Sequence, residues 1–171
     1  LKPLLNINDS KEILPIFTAN LFADCLIIYV TFSAIIGNGK PWQILTKWYK
    51  KYRLSAVIAD TTIGIIYLLI ARYIANIVDF NFTILAVIIQ IVFDFLFYLF
   101  FSIVPTNSNH MLDLFKLWGK YAKLDALWGD SILIIVGVIL SAYFNEFTFQ
   151  DNIFIAFIMI YLVPYFIWMK D

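Results

Sequence analysis

The sequence predicts an all-α polytopic membrane protein. The reading is about five transmembrane helices, built from two parallel 70-residue repeats, with two interfacial amphipathic helices. Three observations lead there. Of 171 residues, 63% are hydrophobic and only 14% charged, too little polar surface to cover a soluble domain. Several apolar runs reach the roughly 20 residues a helix needs to cross hydrocarbon. The second half of the chain also matches the first, without a gap, at an offset of 70 (130 − 60).

The elements follow in order. The first ten residues, LKPLLNINDS, read as too polar for a signal peptide. Spans are predicted at 14–36, 54–76, 82–105, 124–144 and 152–169. The runs are long, rich in Ile, Leu and Phe, and lack the alternation a barrel would need. A helix also satisfies its own backbone in hydrocarbon. Gly37-Asn38-Gly39 can stop the first span, and Pro41 suits the first turn of a new helix. Pro105 and the polar run Thr106-Asn107-Ser108-Asn109 punctuate the third span in the same way.

Two connections are long, 37–53 and 106–123. Together they hold Lys40, Lys47, Lys50, Lys51, Arg53, Lys116, Lys120 and Lys123, eight of the twelve cationic residues. Five spans put both long connections and the C-terminus on one face. The Lys/Arg bias predicts that this face is cytoplasmic or interior, with the N-terminus outside and Lys170-Asp171 inside. In "PWQILTKWYKKYR", Trp42, Leu45, Trp48, Tyr49 and Tyr52 recur at helical spacing among lysines. In "MLDLFKLWGKYAKL", Leu114, Phe115, Trp118 and Tyr121 do likewise. Both read as short helices in the interface, anchored by Trp42, Trp48, Tyr49, Lys50, Trp118, Lys120 and Tyr121. The plainer alternative is ordinary basic loops.

At the offset of 70, Trp48 meets Trp118, Lys50 meets Lys120, Asp60 meets Asp130 and Asp24 meets Asp94. Asn20 meets Gln90, Arg53 meets Lys123, and Thr61 meets Ser131. Repeat one covers about 14–80 and repeat two about 82–150, within one membrane domain. Two spans per unit return the chain to its starting side, so the units are parallel, related by an axis along the membrane normal. The extra helix 152–169 aligns with 81–98, with Pro164 in the aspartate's slot.

Asp24, Asp60, Asp94 and Asp130 all fall inside apolar runs. At about 1.5 Å per residue, Asp60 lies roughly 9 Å and Asp24 roughly 18 Å from the basic face. An ionised carboxylate facing lipid costs several kcal/mol, so all four must face protein, water or each other. Asn20 with Asp24, and Gln90 with Asp94, share a helix face at a spacing of four. Two readings stand. One is a hydrogen-bonded core that locks helix to helix. The other is a cation or proton path around a pseudo-twofold axis.

Much is missing from the chain. There is one histidine, His110, placed at a helix start, and one cysteine, Cys25, read as a small buried hydrophobe. No phosphate loop, GxSxG or Cys-His pair occurs, so no catalytic, cofactor or metal site is expected. The formal net charge of zero gives no field to recruit nucleic acid. Asp113 and Asp125 are expected in surface ion pairs.

The segments "FDFLFYLFFSIVP", "MLDLFKLWGKYAK", "GDSILIIVGVILSAYF" and "YLVPYFIW" resemble a family of uncharacterised multi-span membrane proteins of nucleocytoplasmic large DNA viruses, the giant viruses of algae and protists. "FADCLIIYV" and "LTKWYKKYRLSAVIAD" are similar to the same family. In that family a His often precedes the third-span aspartate; here Phe93 stands there. The resemblance implies a structural or scaffolding protein of the virion inner membrane, a minor capsid-associated component. Its partners would be the bilayer and other virion membrane or capsid proteins. The alternative is a small cation or proton channel or transporter using the intramembrane aspartates. A third possibility, suggested by 17 Phe and 10 Tyr, is an accessory subunit of an organelle membrane complex.

Overall fold

A computed structural model describes residues 10–33 and 39–169. The predicted end of the first span, its Gly37-Asn38 stop, residues 1–9 and Lys170-Asp171 lie outside the described residues. Seven α-helices follow a short 3-10 turn at Ser10–Glu12: α1 (Ile13–Ser33), α2 (Lys40–Tyr52), α3 (Leu54–Val78), α4 (Phe82–Ile103), α5 (His110–Ala122), α6 (Leu124–Phe144) and α7 (Phe149–Ile167). Five of them are long and apolar enough to cross a membrane: α1 with its leading turn, α3, α4, α6 and α7. The chain is an all-α polytopic membrane protein.

Local chemistry fixes the ends. Pro41 sits in the first turn of α2, where its missing N–H costs nothing. Asn81 caps α4 by accepting from the Ile84 N–H at 3.1 Å. Asn109 caps α5, accepting from Met111 and Leu112, so His110 is its first residue. Thr148 and Asp151 form a reciprocal capping box that starts α7 at Phe149, earlier than the predicted 152. Left-handed Asp79 closes α3 at Val78, two residues beyond the predicted end. Val104 is extended, and this ends α4 at Ile103 rather than at 105. The α2–α3 and α5–α6 junctions are single residues with positive φ, Arg53 at 50° and Lys123 at 48°.

Element boundaries recur at the offset of 70. Lys40–Tyr52 maps onto His110–Ala122, and the Arg53 turn maps onto the Lys123 turn with nearly the same dihedrals. Helix contacts recur as well: α1 against α3 and α6 corresponds to α4 against α6 and α3, and α2 packs on α5.

α1 is the central helix. Its span is 56% buried, against 22–33% for the others. Two apolar clusters sit on it. One joins Leu21, Cys25, Ile28 and Phe32 to α2, α3 and α7. The other joins Ile16 to Tyr67 and Leu68 of α3, Ala86 and Ile89 of α4, and Ile134 and Val138 of α6. Small residues let the helices approach closely. Ala19 is fully buried, and Gly64 and Gly137 both lie against Asn20.

Candidate functional site

Thr61 follows Asp60 on α3, and on α1 Asp24 stands opposite it. The Thr61 hydroxyl donates to Asp24 Oδ2 in a short contact. This bond puts the first two aspartates at one depth. The staggered depths expected from sequence are therefore corrected to one shared level, towards the basic face.

Asp60 takes two donors from α2. Trp48 Nε1 donates to its Oδ2 at 3.0 Å, and the Tyr49 hydroxyl donates to the same carboxyl. Trp48 and Tyr49 are 4% and 2% exposed. Their expected role as headgroup anchors is corrected: both turn inward and seal the aspartate from the basic face. Burial, followed by the nearby Asp60 and Asp24 carboxyls, pushes the Tyr49 hydroxyl well above its usual range. Trp48 also stacks in a tilted arrangement on Phe115 of α5, with ring centroids 4.7 Å apart. Of the remaining anchors, Trp42, Lys50 and Trp118 are partly buried, while Lys120 and Tyr121 are exposed.

The second repeat is wired differently. Gln90 is fully buried and acts as a relay. It accepts from the Ser131 hydroxyl at 2.7 Å and donates to Asp94 Oδ2 in a short contact. The Tyr67 hydroxyl donates to Asp94 Oδ1 at 2.9 Å. In the first repeat Asn20 is one methylene shorter. It donates instead to the Ile16 carbonyl of its own helix at 2.8 Å, and Thr61 reaches Asp24 directly.

Asp130 is partly buried, and no hydrogen-bond donor reaches it among the described residues. The residues matching its counterpart's donors are Trp118 and Gly119. Glycine has no hydroxyl to give, and Tyr98 lies beside the space where a Gly119 Cβ would be. Asp24 lies within electrostatic reach of Asp60 and Asp130, and Asp130 within reach of Asp94 and Asp60. The four carboxyls thus form one cluster, contributed by α1, α3, α4 and α6. Among the described residues, no group of three or more His, Cys, Asp or Glu is placed to hold a metal ion.

The sequence reading missed one intramembrane pair. Arg72 of α3, 3% exposed, pairs with Glu12 at 2.7 Å, far from the basic face. The signal was present, since Arg72 is the only cation inside any predicted span. The ion pairs expected of Asp113 and Asp125 are corrected. Asp113 accepts from the Asn107 N–H at 3.1 and 3.2 Å, which ties the turn ahead of α5, and neither aspartate has an ion pair among the described residues.

Fold and site together define a polytopic helical membrane protein with a carboxyl-rich, hydrogen-bonded interior. No protein-family model matches the chain, and no curated protein or solved structure matches it either.

Proposed function

We propose that this chain is a structural, scaffolding membrane protein of a large DNA virus particle, seated in the inner membrane beneath the capsid. One observation carries the structural half of that reading: three of the four aspartates are engaged by donors from a different helix. Thr61 ties α3 to α1, Trp48 and Tyr49 tie α2 to α3, and Tyr67 ties α3 to α4. Polar groups used this way lock a helix bundle, because the alternative is a bare carboxyl in hydrocarbon. The residue-level resemblance of both halves supplies the viral half of the reading. α2 and α5 pack together, and their basic, aromatic surface is the platform through which the chain would contact capsid or other virion proteins. Quantitative proteomics of purified particles tests this: the chain is expected as a stoichiometric membrane component, and its absence ends the proposal.

Asp130 favours a second reading, a small proton path. A carboxyl without a donor, in electrostatic reach of the other three, is the member of the cluster free to exchange a proton. Flux across liposomes carrying the purified chain, lost on Asp130→Asn and on Asp24→Asn with Asp94→Asn, would promote that reading over scaffolding.

A further inference from the structure

Each repeat ends its interfacial helix with the same pair of cations, Lys50 and Arg53 in the first, Lys120 and Lys123 in the second. The second cation of each pair occupies the single-residue turn at positive φ, a region that favours glycine. Both turns nevertheless keep a cation.

In the first repeat that corner is filled by the chain itself. Trp168, at the end of α7, lies under both cations: its ring centroid is 5.9 Å from Lys50 Nζ and 5.5 Å from Arg53 Cζ. At the second corner, among the described residues, no ring from another helix lies over Lys120 or Lys123. Lys120 rests 5.9 Å from the ring of its own neighbour Tyr121, and Lys123 is exposed. Directly below, the lipid-facing side of α6 starts with Leu124 and Trp128, which are 69% and 72% exposed, and continues through Ile132. Cations at a helix start, an indole one turn lower and an apolar stripe beneath them match a phospholipid end to end: headgroup, glycerol level and acyl chain.

The charge distribution selects an anionic lipid. The two long connections carry eight cations against Asp113, with Asp125 just inside α6, whereas the exposed turns on the other face carry Asp79, Glu146 and Asp151 against Lys11. We propose that the α5–α6 corner binds one anionic phospholipid, with its headgroup on Lys120 and Lys123 and one acyl chain along Leu124, Trp128 and Ile132. Lys116 is not part of the site, since its ammonium is committed to the Val104 carbonyl. Asp125 is exposed beside the two lysines and opposes the headgroup. The site does not depend on the viral reading.

The test uses the full chain in nanodiscs of equal phosphatidylglycerol and phosphatidylcholine. After transfer to mild detergent, retained lipid is counted by native mass spectrometry. Wild type is expected to keep one phosphatidylglycerol. Lys120→Gln with Lys123→Gln should lower its retention roughly 30-fold, and Asp125→Asn should raise it about fivefold, at the usual strength of a surface cation for anionic lipid. Lys47→Gln with Lys51→Gln makes the same change in net charge on α2 and should leave retention unaltered. Trp168→Ala should open the first corner and add a second lipid. Equal retention of the two lipids would overturn the proposal, as would equal losses in both lysine double variants. Capture of polyglutamate by Lys120 and Lys123 without any lipid preference would also overturn it and assign the corner to an acidic protein.

Discussion

Gly64→Ala is expected to be the most damaging single-methyl change in the bundle. A Cβ built at Gly64 would stand 2.5 Å from Asn20 Oδ1, inside the 3.0 Å that real Cβ atoms essentially never breach. The same oxygen lies 3.4 Å from a Cβ at Gly137, an ordinary contact. Asn20 cannot easily yield, because its short side chain is 6% exposed and its amide is committed to the Ile16 carbonyl at 2.8 Å. Overpacking a tight contact costs about 1–3 kcal/mol, and the displaced amide bond costs about 1 more. Replacing a helical glycine returns up to about 1 kcal/mol. The net expectation is a loss of about 1–3 kcal/mol for Gly64→Ala, and no loss for Gly137→Ala. Reversible unfolding by SDS in mixed micelles, followed by circular dichroism, measures both. Asn20→Ala removes the offending oxygen, so combining it with Gly64→Ala should recover about 1–3 kcal/mol of coupling. If Gly137→Ala costs as much as Gly64→Ala, or the coupling is absent, the close approach of α1 to α3 described above is wrong.

Three further outcomes are expected. Trp48→Phe removes the indole N–H from Asp60 and should cost about 1–3 kcal/mol in the same unfolding assay, whereas Trp118→Phe, whose indole does not reach Asp130, should cost under about 0.5. Glu12→Ala removes a carboxylate oxygen 2.7 Å from the buried Arg72 guanidinium and should lower stability, while Glu12→Leu with Arg72→Met should lower it less, since an apolar pair of similar volume carries no desolvation penalty. The raised Tyr49 hydroxyl stays protonated in the fold while the unfolded chain's tyrosines ionise near pH 10. Its contribution is therefore complete below about pH 10 and is lost as pH rises above that, so melting temperature should fall on the alkaline side less steeply in Tyr49→Phe than in wild type.

The spans were legible because length and hydropathy suffice for helices in hydrocarbon, and the interfacial helices because Trp, Tyr and Lys recur at 3.6-residue spacing. Their ends were less legible. Thr148 with Asp151 is a capping box that starts α7 three residues ahead of the predicted fifth span (152 − 149), but the apolar run outweighs it. The candidate site was legible as a set of residues and illegible as a circuit. α2 carries aromatics on both an inner and an outer side, so its sequence pattern alone does not distinguish the inward Trp48 and Tyr49 from headgroup anchors. Arg72 was visible as a lone cation in an apolar run, but its partner Glu12 lies ahead of the predicted first span, 60 residues away (72 − 12).

Matching the two repeats by identity hides what their differences do. At four pairs the offset of 70 sets a small group against a large one: Asn20 with Gln90, Tyr49 with Gly119, Gly64 with Ile134, and Tyr67 with Gly137. These exchanges are mutually dependent. Gly64 and Gly137 leave room for α1 to approach with Asn20, so Thr61 bonds Asp24 without an intermediary. On the other side Tyr67 stands where α6 has Gly137, and it reaches Asp94 through its hydroxyl, while the longer Gln90 spans the interval to Ser131. Three carboxyls are thereby engaged by three different devices, and the exchange of Tyr49 for Gly119 leaves the fourth, Asp130, without one. An arrangement under selection only to keep two copies alike would have retained a donor there. Replacing Gly119 with Tyr in an otherwise unchanged chain should therefore stabilise the bundle if its hydroxyl reaches Asp130. A loss of liposome proton flux in that same variant would show that the missing donor serves transport, whereas a pure gain in stability with no flux to lose would leave the interior as a lock.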